Sequence, residues 1–229
     1  MPPPIYIPSI DPRKGPSATP AAFIRAIILA YRRYDTDPAN ALHIAQIAPK
    51  FLDQPNSRVT AAQMEIVSAV AMQELDDEAL GWFSRRLPWG SYGMLCRASL
   101  TAPNLGVALK RWCRHHRLLT DDIALSLRRN TSVATLGIQQ NRPLGDFQEL
   151  CLVTSLRYIL GYACWAIDSR IPILEANFPY PPPEHHDTYP LMFQGPIHFN
   201  ATQASFSFDA RYLELPLRRD ESNIQQMLQ

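Results

Sequence analysis

Cys113 and His116 are the nearest this 229-residue chain comes to a nucleophile–base pair. Three residues apart in a helical pattern, they share a helix face, and an imidazole beside a thiol can draw off its proton to make a thiolate nucleophile. No third group is spaced to orient such a base, so the pair reads as two buried side chains before it reads as a catalytic site. Two histidine doublets, His115-His116 and His185-His186, invite a metal. Neighbours on a helix point about 100° apart, however, and no H-x-x-x-H spacing or nearby carboxylate completes a ligand set. Neither a metal nor any other cofactor is expected. The four cysteines, Cys96, Cys113, Cys151 and Cys164, form no C-x-x-C pair and sit in apolar patterns, as buried thiols in a reducing compartment do.

Binding chemistry is better represented than catalytic chemistry. Arg97 lies within the apolar stretch Ser91 to Leu100, where its stem can reach solvent or its guanidinium can fork onto a carboxylate or phosphate. Arg157, in a more apolar stretch still, calls for a buried acceptor. Around them stand Trp89, Tyr92, Trp112, Tyr158, Tyr162 and Trp165. An aromatic stripe is more often core than ligand site, but buried indole N–H and phenol groups need partners, and several converging on a gap make a small-molecule pocket. The candidate binding set is Trp89, Tyr92, Arg97, Trp112, His116, Tyr158 and Trp165.

These residues must be held by helices. The segment from Leu87 to Asp122 reads as a Gly-punctuated turn, a short apolar helix, a Pro break and a longer amphipathic helix. The longer helix places Leu105, Ala108, Leu109, Trp112, Cys113 and His116 on one face. Phe147 to Trp165 is apolar on nearly every side and predicts a helix packed on several faces. Upstream, helices are predicted over Phe23 to Tyr34, over Ala39 to Ile47 with Pro49 ending it, and over Thr60 to Leu75. Thr60 and Gln63 would form a capping box on the last of these, and a short helix over Asp77 to Arg85 should follow. A period-two pattern over Ile123–Leu127 and Ala134–Ile138 predicts a hairpin. Further strands are expected at Ile171–Asn177 and Ala204–Asp209, with a short helix over Glu184–Phe193 between them. The expected fold class is α+β, mostly helical, with a small antiparallel sheet of about four strands. Ile44 to Val67 imitates a helix-turn-helix, but its connection is long and its second helix opens without outward basic residues, so DNA binding is not expected there.

Composition narrows the field. The apolar fraction of 46% supports a sizeable core, and a net charge of +1 argues against a chain devoted to nucleic acid. No apolar run is long enough to span a bilayer, and the Pro-rich start MPPPIYIPSIDPRKGPSATP lacks the apolar centre of a secretory signal. A cytoplasmic protein with no membrane partner is expected. Residues 1–20 read as a flexible or extended arm and 21–217 as the main domain. The final LPLRRDESNIQQMLQ stops in mid-pattern, so residues 218–229 read as the start of a linker to something further on.

Several motifs agree in order and spacing with one family. They are Gly90-Ser91-Tyr92-Gly93-Met94-Leu95, then Ala102-Pro103-Asn104-Leu105-Gly106-Val107-Ala108-Leu109, then His116-Arg117-Leu118-Leu119-Thr120-Asp121-Asp122. Later come Phe193-Gln194-Gly195-Pro196-Ile197-His198-Phe199 and Phe208-Asp209-Ala210-Arg211-Tyr212-Leu213. From about Ala21 onward, the chain resembles the arabinose-binding-type N-terminal domain of bacterial AraC-family transcription regulators. The resemblance implies an effector-sensing or dimerising domain that controls a C-terminal helix-turn-helix domain absent from this chain. Promoter DNA would be met only through that absent part, and the partners implied are a small-molecule effector and a second copy of the chain. A sugar site would want more Asp, Asn and Glu beside its aromatics; an effector with one anionic end, such as a carboxylate or amino-acid derivative, suits Arg97 and the rings better. Two alternatives stand beside this reading: a module that only dimerises, and an enzyme built on Cys113–His116 or on tyrosine acid–base chemistry.

Overall fold

Phe23, Ile24, Ile27, Ala30 and Tyr31 recur at helical spacing, and they are the buried face of helix α1 (Ala21–Arg33). It packs against α4 (Ala61–Glu74), whose Ile66, Val67, Val70 and Ala71 are buried. The computed structural model describes residues 5–54 and 56–228, which divide into two compact units, Met1–Trp89 and Gly90–Leu228. In the first unit the capping box at α4 is present in both directions. Thr60 Oγ1 accepts the Gln63 backbone N–H at 3.0 Å, and Gln63 Oε1 accepts the Thr60 N–H at 3.0 Å.

Three local expectations for this unit are corrected. Helix α2 (Ala39–Ile44) ends before Ile47, and Gln46 takes a φ of +54°. Pro49 then opens α3 (Pro49–Leu52) instead of ending its predecessor, because a residue with no N–H and a fixed φ fits the first turn of a helix. Strand β1 (Ser17–Pro20), at the end of the Pro-rich stretch, pairs antiparallel with β2 (Arg58–Thr60). These strands are too short to show a period, and β2 separates the two helices of the apparent helix-turn-helix. The helix expected over Asp77 to Arg85 is absent: Leu80 and Gly81 take φ of +45° and +78°, and the chain wraps around one carboxylate. Asp77 is fully buried, and its oxygens accept the N–H groups of Ala79 (3.0 Å), Gly81 (2.8 Å) and Leu87 (2.8 Å) and the Tyr34 hydroxyl (2.7 Å).

The second unit opens with α5 (Ser91–Leu100) and α6 (Leu105–Leu119), followed by the hairpin of β3 (Ile123–Arg129) and β4 (Val133–Gln140). Helix α7 (Gln148–Ala166) is buried on several sides, as its uniform apolarity predicts. Strand β5 (Ile173–Asn177), the short α8 (Tyr189–Met192), β6 (Ile197–His198) and β7 (Ala204–Asp209) follow, then a 3-10 turn over 210–214 and α9 (Glu221–Leu228). The sheet order is β3-β4-β7-β5-β6. Leu136 lies opposite Phe206, which in turn lies opposite Ala176, so the core runs across the middle strands.

The expected fold class is therefore corrected. Among the described residues there are two sheets, of two and five strands, instead of one of about four. The larger is mixed, since β6 runs parallel to β5, and helix makes up 46% of the described residues, short of a majority. β6 went unforeseen because two residues carry no alternation to read. It is held by the approach of Gly195, where a Cβ would lie 2.7 Å from the Ile173 carbonyl oxygen at a φ of +131°. No described helix is long and apolar enough to cross a membrane.

Candidate functional site

The second unit brings the aromatic residues of three helices together. Gly90, at a φ of +97° open to glycine, leads into α5 and puts Tyr92 on its first turn. Asn104 caps α6 by accepting the Val107 N–H at 2.9 Å, which sets the phase that buries Trp112, Cys113 and His116. On α7, Tyr158, Tyr162 and Trp165 follow at i, i+4 and i+7 and share one side of the helix. The Tyr92 ring meets Tyr158 edge-on at 5.3 Å between centroids and His116 at 6.2 Å. Trp112 lies 4.5 Å from Tyr162, which lies 6.4 Å from Trp165. Five of the seven expected binding residues, Tyr92, Trp112, His116, Tyr158 and Trp165, thus gather on α5, α6 and α7. Tyr162, which joins Trp112 to Trp165, belongs with them; its i, i+4 spacing from Tyr158 was the available signal.

The electrostatics of this cluster are those of an apolar site. Trp112 is 2% exposed, and its indole N–H has no hydrogen-bond acceptor among the described residues. An N–H stripped of water without a partner costs about 1–3 kcal/mol. Burial lowers the His116 imidazole from 6.5 to about 4 and raises the Cys113 thiol to about 11. Both side chains are uncharged at neutral pH, the reverse of what a thiolate nucleophile and its base require. The Tyr162 phenol is likewise held well above its ordinary value by burial.

Two of the expected residues stand elsewhere. Arg97 is exposed on α5, and its Nε meets Glu221 Oε1 of α9 at 2.8 Å. Trp89 belongs to the first unit, with its side chain 44% exposed and its backbone N–H donating to Asp76 Oδ1 at 2.9 Å. Arg157 is exposed instead of reaching a buried acceptor: its Nη1 donates to the Met192 backbone carbonyl at 2.6 Å. The second histidine doublet is divided between two partners. His185 Nε2 meets Glu149 Oε1 at 2.7 Å, the same oxygen that accepts the Tyr189 hydroxyl at 2.6 Å, while His186 Nδ1 meets the Pro183 carbonyl at 3.0 Å. Among the described residues no group of three or more His, Cys, Asp or Glu side chains is placed to hold a metal ion.

Sequence reasoning missed a second feature altogether. A cleft of about 320 Å³ lies at the start of α6, between it, the end of β3 and the 3-10 turn. Its lining includes Asn104, Val107, Lys110, Leu127, Arg129 and Glu214, drawn from three segments separated along the sequence. Gly106 lets the turn approach, since a Cβ there would lie 3.1 Å from the Leu213 carbonyl oxygen.

Comparison with known proteins follows this geometry. The family model described as the arabinose-binding domain of AraC transcription regulator, N-term, matches residues 36–217. The ornithine utilization regulator of Pseudomonas aeruginosa is 25% identical over 199 residues, which cover 86% of this chain and 59% of that protein. The crystal structure of the transcriptional regulator CdpR from Pseudomonas aeruginosa covers 83% of this chain and 59% of its own, at 17% identity and a TM-score of 0.46. The chain thus spans about three-fifths of the length of the relatives it matches.

Proposed function

Because this chain belongs to the family of arabinose-binding N-terminal domains of AraC transcription regulators, we propose that it senses a small effector and passes the result to a DNA-binding part of a longer regulator. The matched relatives are transcription regulators, and this chain is read as a cytoplasmic regulatory domain without enzymatic activity. A second copy of the chain is its proposed partner, with promoter DNA contacted only outside residues 1–229. The relative's name concerns ornithine utilization; a carboxylate or amino-acid-like effector is the class proposed here.

The observation that carries the effector site is the buried Trp112 indole N–H, without an acceptor among the described residues and packed against the Tyr162 ring at 4.5 Å, on the helices that also carry Tyr92, His116, Tyr158 and Trp165. A ligand with an apolar body and a carboxylate oxygen to accept that N–H would satisfy the donor. The same helices hold the C-terminal segment. Arg97 of α5 pairs with Glu221, the Arg218 N–H donates to the Ala166 carbonyl at the end of α7 at 2.7 Å, and Arg219 pairs with Asp168. Ile224 of α9 is fully buried. An effector that favours one arrangement of α5 and α7 therefore biases how α9 is docked, by no more than its difference in affinity for the two arrangements.

The test is a thermal-shift series of small carboxylates and amino acids on the chain, repeated on Trp112→Phe, which keeps a ring and removes the N–H. A compound that raises the melting temperature of the native chain should do so less for the variant. If no compound shifts the native chain, or the variant responds equally, the effector site is not at Trp112.

A further inference from the structure

The two ends of α6 sit in opposite chemistries. Its C-terminal half buries Trp112 and His116 among aromatic rings, whereas its first turns line the 320 Å³ cleft, where charges of both signs meet. That volume is at the lower end of those that small ligands occupy. Lys110 is exposed and makes no ion pair among the described residues. Arg129 of β3 pairs with Glu214 of the 3-10 turn, and their side chains are 50% and 61% exposed. An ion pair so open to water contributes little and can exchange partners at small cost. The Asn104 side-chain Oδ1 already accepts the Val107 N–H, so the side-chain NH2 is its remaining group for a ligand. Val107 and Leu127 supply an apolar side.

We propose that this cleft binds a free aliphatic α-amino acid. The carboxylate lies between Lys110 and Arg129 with the Asn104 amide donating to it, the ammonium lies on Glu214, and the aliphatic side chain lies on Val107 and Leu127. A zwitterion matches the cleft better than a simple anion, which would have to displace Glu214 from Arg129 and leave that carboxylate without a partner. The site is separate from the aromatic cluster and does not depend on it.

Calorimetric titration of the 229-residue chain tests the assignment with L-leucine, 4-methylpentanoate, which lacks the amine, and 3-methylbutylamine, which lacks the carboxylate. Saturable leucine binding is expected, with each analogue weaker by about ten-fold or more, as the loss of one charge-assisted contact implies. Lys110→Met and Glu214→Gln should each weaken leucine binding by about ten-fold, while Arg114→Met, an exposed charge on α6 outside the cleft lining, should stay within about two-fold. Absence of saturable leucine binding overturns the proposal. So does 4-methylpentanoate binding as tightly as leucine, which would mark a plain anion site, or an equal loss in Arg114→Met and Lys110→Met, which would mark general charge attraction.

Discussion

His116 shows what burial does to a residue type usually associated with chemistry. It is 1% exposed and uncharged at neutral pH, with a pKa of about 4 in place of 6.5, lowered by the loss of water around the imidazolium. The unfolded chain takes up a proton near pH 6.5 that the folded chain refuses until near pH 4. The stability this preference supports is complete above pH 6.5 and is lost as the pH falls toward 4, by roughly 3 kcal/mol at most. Urea unfolding at pH 7 and at pH 4.5 should therefore show a larger loss for the native chain than for His116→Phe. An equal loss in both would assign the acid sensitivity to other groups. Cys113, three residues before, is held as a neutral thiol by the same burial. Spacing brought the two onto one face of α6, but their protonation depends on how completely the neighbouring helices exclude water.

Among the elements, the segment 77–87 departs furthest from its sequence. Its composition would fit a short helix, yet Asp77 gathers three backbone N–H groups and the Tyr34 hydroxyl, and the chain turns around it. A buried carboxylate with four donors competes successfully with one turn of helix, which closes few bonds of its own. Asp77→Ala leaves those donors without an acceptor. It should lower the unfolding free energy of the first unit by about 3–5 kcal/mol, measured by urea titration. A loss under about 1 kcal/mol would mean that water replaces the carboxylate without penalty. Elements with strong periods were legible: α1, α4 with its Thr60–Gln63 box, α6, α7 and the β3–β4 hairpin stand where their patterns put them. The strands of two to four residues, β1, β2 and β6, were not. Their pairing comes from partners distant in sequence, and in β6 from the backbone approach that Gly195 permits.

At the scale of the molecule, the chain carries two units, each with its own buried core. Cutting between Trp89 and Gly90 should leave residues 90–229 able to fold, since α5, α6, α7 and the five-stranded sheet supply its core from within. The expected readout is a cooperative melt of that fragment with the near-ultraviolet signature of a buried Trp112; a fragment without a cooperative transition would show that the first unit is needed. The sequence alone determined the long helices α1, α4, α6 and α7, which rings share a face of α6 and of α7, and to which family the motifs belong, because helical period and capping act over only a few residues. Tertiary structure decided the rest. It made a two-stranded and a mixed five-stranded sheet, turned Arg97 toward Glu221 and away from the rings, and assembled the cleft around Lys110 from α6, β3 and residues 210–214. Those outcomes depend on contacts between segments a few tens to more than a hundred residues apart, and no local pattern encodes which distant group a side chain will meet.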